Sequence, residues 1–348
     1  MKILRGLKTL NPIYQMFFIS TLISCFFTVY LVAHLEIETL YSIMVSSVTL
    51  VMIIIYLTKY AAYPSKWKKG DTFLLILTFI TVFHLPSHFI SAGRICFRRE
   101  KKDDLLIEID KYILGWLVKD GKISLWIDNN DYIGPHTLVG KFLNNTLQIL
   151  YFFYYLIPYV SMHFMSLLNC LREVIFRFKH NGLKSTSYKK NWNTTLFVFS
   201  VYLLTCVFVF FVNTLVPATS PRKHLKNEFT HPLNLSGFGK YLNIRSKDER
   251  SANSFPSGHV AEILSIGLSY YAAKDKFTGK LIIFFSGSIA LATLFLRYHY
   301  FCDIIMAVFL SFLSFGFNYF FGLRRYRKYI KAYQINFKIM NDSPESMI

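Results

Sequence analysis

Long runs of apolar residues alternate with short basic loops along most of this chain. A helix needs about 20 apolar residues to cross the hydrocarbon core of a bilayer, so each run predicts a membrane-spanning helix. Spans in lipid must pair their own backbone groups, which predicts an all-α fold. We therefore predict a polytopic membrane helix bundle of about eight transmembrane helices. The runs lie at 14–33, 39–58, 73–92, 146–169, 196–217, 259–273, 281–298 and 302–322.

One long stretch interrupts this pattern. Its part DDLLIEIDKYILGWLVKDG, residues 103–121, has apolar residues at helical spacing with charges between them. This spacing is typical of an amphipathic helix at a membrane surface, and a solvated lid or spacer is the alternative. We divide the chain into three spans at 1–92, an extracytoplasmic amphipathic segment at 93–145, a catalytic membrane domain of five spans at 146–322 and a basic tail at 323–348.

Composition and charge agree with a membrane protein. Apolar residues make up 53% of the chain and charged residues only 17%, whereas a soluble domain has about 25% charged residues. The net charge of +19 would suit nucleic acid, but the basic residues lie between apolar runs, so we expect no nucleic acid partner. Because the cysteines have no paired spacing, we expect neither disulfides nor a metal site. They are Cys25, Cys96, Cys170, Cys206 and Cys302.

The charge of the loops predicts the orientation, because Lys and Arg concentrate on the cytoplasmic side of a membrane protein. If the N-terminus lies in the cytoplasm, most basic residues fall on that side, including the tail cluster after the last span. Segments 93–145 and 218–256 then face the outside or the lumen. We therefore predict an integral, multi-pass membrane protein with both termini in the cytoplasm.

Candidate chemistry begins at the sixth span. The sequence NSFPSGHVAE places Ser257, Gly258 and His259 at its start. A proline and a serine before an apolar run signal a helix start, and the free N–H groups of a helix start suit a phosphate. Gly258 lets that backbone approach closely. His259 then lies in the first turn, within reach of a bound anion.

A second sequence, LFLRYHYFCDIIMA, lies at the junction of the seventh and eighth spans. His299 and Asp303 are four residues apart, so on a continuous helix they share one face. A carboxylate there accepts one ring N–H and leaves the other ring nitrogen free to attack as a nucleophile. Arg297 lies two residues before His299, and its guanidinium is suited to holding a phosphate oxygen.

A third sequence, PATSPRKHL, carries Arg222 and Lys223 out of the fifth span, on the predicted face of both histidines. Each residue has an ordinary alternative. A histidine near an interface is more often a satisfied polar residue than a catalyst, and a basic residue at a span end is usually a lipid anchor. The conjunction of PSGH with a later H-x-x-x-D, both at span ends on one face, favours a phosphate site.

These elements resemble the type 2 phosphatidic acid phosphatase superfamily, whose pattern joins P-S-G-H to a later H-x-x-x-D. The resemblance implies a six-helix membrane core and a phosphohistidine mechanism without metal or cofactor. It also implies that His299 is the nucleophile, Asp303 its orienting acid and His259 the general acid. Ser257 and Gly258 match the backbone that cradles the phosphate.

The resemblance covers residues 190–320 and departs from the family in two places. Leu215 stands where the first motif has a Lys, and Arg222 is followed by a lysine instead of a proline. Ala292 and Thr293 stand where the third motif has other residues, usually including an Arg. The run ATLFLRYHYFCD instead resembles the branch of inositol phosphorylceramide synthases, which transfer a head-group phosphate to a lipid alcohol.

We therefore expect a membrane enzyme that acts on a lipid phosphate or phospholipid and transfers the phosphate head group to an alcohol acceptor. A lipid phosphate phosphatase, with water as acceptor, is the alternative. A non-enzymatic transporter or scaffold is a distant third, because it explains the spans but not two histidine motifs on one side. Neither the particular lipid nor the oligomeric state follows from the sequence.

Overall fold

The fold is all-helical. A computed structural model of the chain describes residues 12–32, 100–161, 186–233, 235–237, 240 and 254–328. These residues form helices joined by turns and loops, and no strand occurs among them. The all-α fold predicted from the apolar runs is confirmed. The predicted spans at 39–58 and 73–92 lie outside the described residues, so the count of eight spans stays a prediction.

Within the described ranges, six helices have fifteen residues or more, and three are shorter. In chain order the helices are α1 (Pro12–Val32), α2 (Asp103–Leu114), α3 (Ile123–Asp128), α4 (Leu138–Tyr159), α5 (Thr186–Leu215), α6 (Pro221–His224), α7 (Gly258–Ala272), α8 (Lys276–Phe295) and α9 (Phe301–Asn318). A π-helical turn over Tyr319–Leu323 continues α9.

Local sequence explains where two of the long helices begin. Thr137 caps α4, since its hydroxyl oxygen accepts the N–H of Gly140 at 2.9 Å, which pairs one of the free donors of a helix start. This start precedes the predicted span at 146, because the first turns of α4 are rich in polar residues. Asp275 caps α8 by accepting the N–H of Thr278 at 3.2 Å.

The six long helices pack into one bundle. α7 contacts α4, α5, α8 and α9, and α5 also contacts α1 and α9. The contact of α7 with α8 requires Gly279, because a Cβ there would lie 2.5 Å from the backbone nitrogen of Tyr271. Three described helical stretches are long and apolar enough to cross a membrane: Asn193–Leu215, Lys276–Phe295 and Phe301–Lys328. The fold is therefore an all-helical membrane bundle.

Residues 100–137, which we call the cap segment, lie across the end of the bundle where α5 and α8 end and α9 begins. The N–H of Lys102 donates to the carbonyl of Pro217, just after α5, at 2.9 Å, and α2 packs against α9. The inward face of α2 is buried and consists of Asp103, Leu106, Asp110 and Leu114. The outward face and the following turn expose Leu105, Ile109, Tyr112 and Trp116.

The outward face of the cap segment allows a test of the predicted membrane-surface location. Trp116 is 82% exposed, and indole rings favour the head-group level of a bilayer. In vesicles, we expect brominated lipids to quench a component of tryptophan fluorescence that the Trp116→Phe variant lacks. If only aqueous iodide quenches that component, the segment is a solvated lid.

Candidate active site

The three sequence motifs are adjacent in the structure, because four helix ends meet beneath the cap segment. The N–H of Arg222, after α5, donates to the carbonyl of Arg297, after α8, at 2.9 Å. The N–H of Ser257, just before α7, donates to the carbonyl of Asp303 in α9 at 3.2 Å. These two bonds connect the segments that carry every predicted site residue.

The chain leaves α8 through a tight turn at Arg297. The N–H of Arg297 donates to the carbonyl of Leu294 at 3.1 Å, and that of Tyr298 donates to the carbonyl of Thr293 at 2.8 Å. This pair of bonds is the Schellman motif, in which glycine is usual at the left-handed position. Arg297 occupies that position with a φ of 62°, at a cost of roughly 1–2 kcal/mol. Backbone strain of this kind clusters at functional sites.

His299 and Asp303 meet by a different route from the one we predicted. The prediction that the two residues share one face of a continuous helix is wrong, because α8 and α9 are separate helices and His299 lies before α9. Asp303 lies in the first turn of α9, and its Oδ2 reaches back to accept the N–H of Tyr300 at 3.0 Å, as in a capping box. The same oxygen lies 2.9 Å from Nδ1 of His299. A carboxylate only accepts, so Nδ1 carries the proton.

Ser254 completes this constellation, and the sequence motifs do not predict its role. Its hydroxyl donates to Oδ2 of Asp303 at 2.7 Å and lies 3.3 Å from Nδ1 of His299. All three residues are buried. The Nε2 atom of His299 has no hydrogen-bond partner in the described part of the chain, so it is the ring nitrogen available for attack. Nothing local to Ser254 distinguishes it from the neighbouring serines, because its partner lies on another helix.

His259 faces His299, with ring centroids 5.7 Å apart. Nε2 of His259 lies 2.7 Å from the hydroxyl of Tyr151, and the ring of Tyr154 lies 4.1 Å from the His259 ring. Both tyrosines come from α4, which we had not assigned to the site. Nδ1 of His259 is buried without a hydrogen-bond partner among the described residues. A buried polar atom without a partner requires an explanation such as a bound ligand or a water molecule.

A second buried polar atom without a hydrogen-bond partner among the described residues lies at the start of α7. Ser257 is the cap residue of this helix, Gly258 is its first residue, and the Ser257 hydroxyl is buried without a partner among the described residues. The free amides and the dipole of a helix start favour an anion. Ser257 and His259 therefore present unpaired polar atoms at a helix end that is suited to a phosphate.

One of the two predicted cations after α5, Arg222, lies beside Tyr298, the neighbour of the nucleophile. Arg222 and Lys223 are in the short helix α6. Cζ of Arg222 lies 5.7 Å from the ring centroid of Tyr298, the residue before His299. The guanidinium thus stands at the edge of the site. Phosphate binding by Arg222 and Lys223 stays a prediction.

Arg297 contacts the cap segment. Its Nη2 donates to Oδ1 of Asp128 at 2.6 Å and to the carbonyl of His231 at 2.8 Å. Its Cζ lies 3.9 Å from the ring centroid of Phe229. Burial lowers the pKa of Arg297 to about 10, against the opposing effect of Asp128, so the guanidinium is charged at neutral pH. These contacts anchor the turn, and phosphate binding by Arg297 stays a prediction.

Three acids of the cap segment also contact the site, and the sequence motifs do not predict them. Asp103, Asp110 and Asp128 are buried and accept hydrogen bonds from the loop that carries His299. The sequence pattern does indicate two of these acids. Asp103 and Asp110 are seven residues apart, on the face of α2 that also carries Leu106 and Leu114. An acid on the apolar face of a helix predicts a buried partner.

The comparisons with known proteins support the superfamily that the motifs resemble. Residues 187–317 match the family model of the PAP2 superfamily. The chain is also similar to a PA-phosphatase related-family protein of Dictyostelium discoideum, with 31% identity over 234 residues. The alignment covers 64% of this chain, and the chain spans only 41% of the length of that relative. No solved structure gives a match.

Together, the bundle and these matches support a membrane protein with a phosphatase-type enzyme domain over residues 187–317. The matched range contains all the predicted site residues, namely Arg222, Lys223, Ser257, Gly258, His259, Arg297, His299 and Asp303. Neither match confirms the inositol phosphorylceramide synthase-like branch.

Ser254 allows a test of the constellation around Asp303. A hydrogen bond to a charged group contributes about 1.5–3 kcal/mol, so we expect Ser254→Ala to lower turnover about 10- to 100-fold. Turnover is measured with a fluorescent phosphatidate in detergent micelles, and thermal unfolding shows that the variant is folded. The control is Ser288→Ala, whose hydroxyl donates to the carbonyl of Phe284 in its own helix, α8. Wild-type turnover in Ser254→Ala would contradict a role in the site.

Proposed function

We propose that this chain is a membrane-embedded phosphotransferase that moves the phosphate head group of a lipid ester to an alcohol through a phosphohistidine at His299. The observation that carries the proposal is the hydrogen bonding of His299. Nδ1 is held by Asp303 at 2.9 Å, which leaves the lone pair on Nε2. An imidazole with one nitrogen oriented by a carboxylate is an activated nucleophile.

In the first step, Nε2 of His299 attacks phosphorus, and a P–N bond forms as the P–O bond to the lipid breaks. The departing oxygen takes a proton from the imidazolium form of His259, which becomes neutral. The proton on Nδ1 of His299 stays hydrogen-bonded to Asp303, whose charge stabilises the positive ring. The ring centroids of the histidines are 5.7 Å apart, which is close enough for both to contact one phosphate group.

In the second step, the acceptor hydroxyl attacks phosphorus and gives its proton to His259. The P–N bond breaks and His299 returns to its neutral form. The same sequence with water as acceptor describes a phosphatase. The choice depends on whether a bound alcohol outcompetes water, and positioning an alcohol beside the reacting atom is worth several kcal/mol, within the limit of about 7–11 kcal/mol for orientation effects.

We assign the charge of the phosphate to the start of α7 and to the cations of α6. The N–H of Ser257 already donates to the carbonyl of Asp303. The hydroxyl of Ser257 and the amide of Gly258 would therefore hold the phosphate oxygens, with Arg222 and Lys223 at the edge. Preorganised donors of this kind stabilise the charge that develops in the transition state, so the proposal invokes no metal or cofactor. Arg297 donates from Nη2 to Asp128 and to the carbonyl of His231, so its Nε and Nη1 hydrogens would be the ones to bind a phosphate.

We also propose that the site faces the outside or the lumen, as the charge of the loops predicts. The substrate would be a lipid phosphate or phospholipid that enters from the bilayer. The outer surfaces of α8 and α9 expose apolar side chains such as Phe284 and Phe309, which suit contact with acyl chains.

The phosphohistidine gives the first test. With phosphate-labelled phosphatidate, we expect an acid-labile phosphoprotein in the wild type and none in His299→Ala. Asp303→Asn should lower turnover by about 10⁴-fold, as the equivalent change does in serine protease triads. EDTA should have no effect. The control is His136→Ala, which removes an exposed histidine of the cap segment. A labelled His299→Ala, or activity that requires added divalent metal, would contradict the mechanism.

The acceptor gives the second test. Purified protein is incubated with a panel of labelled phospholipids, with and without lipid alcohols and polyols. For a phosphotransferase we expect a labelled transfer product. The release of the hydrolysis product, which is inorganic phosphate from phosphatidate and the phosphorylated head group from a diester, should fall as the acceptor concentration rises. Equal release of phosphate with and without every acceptor, with no transfer product, would identify a phosphatase.

A further inference from the structure

The loop that carries the nucleophile is held from outside the bundle. We define the nucleophile loop as residues 297–302. Three aspartates of the cap segment, all fully or almost fully buried, accept hydrogen bonds from different parts of it. Acids are almost never fully buried unless they are paired, and each of these three pairs with another part of the chain. They are Asp103, Asp110 and Asp128.

Two of the aspartates hold the loop on either side of His299. Oδ1 of Asp128 accepts from Nη2 of Arg297 at 2.6 Å, on the side of α8. Oδ1 of Asp103 accepts from the hydroxyl of Tyr300 at 2.9 Å, on the side of α9. The strained turn at Arg297 and the residue after His299 are therefore both attached to the cap segment.

The third aspartate holds the start of α9 itself. Asp110 accepts the N–H of Phe301 at 2.8 Å and the N–H of Cys302 at 2.7 Å. These are the first two residues of the helix, whose amides have no partner within it. A negative charge at a helix start is also favourable. Asp110 thus fixes the position of the helix turn that contains Asp303.

We propose that the cap segment positions the nucleophile, and that Asp110 is a positioning residue that acts on His299 through the start of α9. Asp303 directly follows Cys302, so a shift of this helix start moves the carboxylate that orients His299. A displacement of about 1 Å lowers an enzymatic rate as much as about 100-fold. The effect on rate rests on the function proposed above, whereas the effect on the loop does not.

The protonation state of Asp110 provides a readout that a merely structural residue would not change. Burial raises the pKa of Asp110 to about 6, against the lowering effect of the Phe301 and Cys302 hydrogen bonds. The titratable groups that face it are the Cys302 thiol and the Asp303 carboxyl, both on α9. The wild type therefore loses the charge of Asp110 as the pH falls through about 6, whereas Asp110→Asn never has it.

The test compares Asp110→Asn with Glu108→Gln, which changes an exposed acid of the same helix. The full-length protein in micelles is assayed with fluorescent phosphatidate. At pH 7.5 we expect Asp110→Asn to lower kcat about 10- to 100-fold with little change in KM, and Glu108→Gln to match the wild type. At pH 5 the ratio of wild-type to variant kcat should be about tenfold smaller, since one pH unit below its pKa only about a tenth of the group is ionised.

Hydrogen exchange of the peptide over residues 297–302 is measured in the same variants. Asp110→Asn should exchange faster there, while peptides from α5 should not change. A ratio of rates that is constant with pH, or unchanged exchange in the loop, would overturn the proposal. If the wild type neither turns over phosphatidate nor forms a phosphohistidine, the proposed function fails, and the exchange measurement still decides whether Asp110 holds the loop.

A second pair of variants applies if Asp110→Asn does not fold. Tyr300→Phe removes only the hydroxyl that donates to Asp103, and Tyr112→Phe is the control at a position 92% exposed on the same cap segment. We expect faster exchange of the loop and a lower kcat in Tyr300→Phe alone. Wild-type exchange and kcat in Tyr300→Phe would show that the cap segment does not position the loop.

Discussion

The carboxylate of Asp303 must be satisfied inside a helical membrane bundle, and the candidate site depends on that requirement. An unpaired buried carboxylate is too costly to persist. Three donors converge on its Oδ2: the hydroxyl of Ser254, Nδ1 of His299 and the N–H of Tyr300. Ser254 comes from the segment before α7, and His299 and Tyr300 come from the nucleophile loop. Satisfying one charge therefore joins the pieces that form the site.

The site also requires backbone that is not helical. Irregular backbone at a membrane is tolerated where protein covers it, and here α8 ends in a Schellman turn and α9 begins six residues later. The cap segment covers this break and supplies the carboxylates that pair its amides and its guanidinium. This provides a physical reason for the polar stretch between the predicted third and fourth spans.

Arg297 illustrates how tertiary contacts change the interpretation of a motif. Two residues before a nucleophilic histidine, an arginine is well placed to bind phosphate. In the fold it occupies a left-handed position and donates to Asp128, which is 169 residues away in sequence. The Nη2 group of this guanidinium serves a buried carboxylate of the cap segment, so the sequence position of Arg297 alone does not define its role.

The sequence by itself determined the all-α membrane fold, because apolar run length and the need to pair backbone groups in lipid are local properties. It also predicted that PSGH and H-x-x-x-D lie together, since both mark span ends on one face. Only the tertiary structure decided how His299 reaches Asp303, and that Ser254, Tyr151 and the cap aspartates join them. Those contacts link residues far apart in sequence, and hydropathy and spacing carry no information about which distant donor satisfies a buried acceptor.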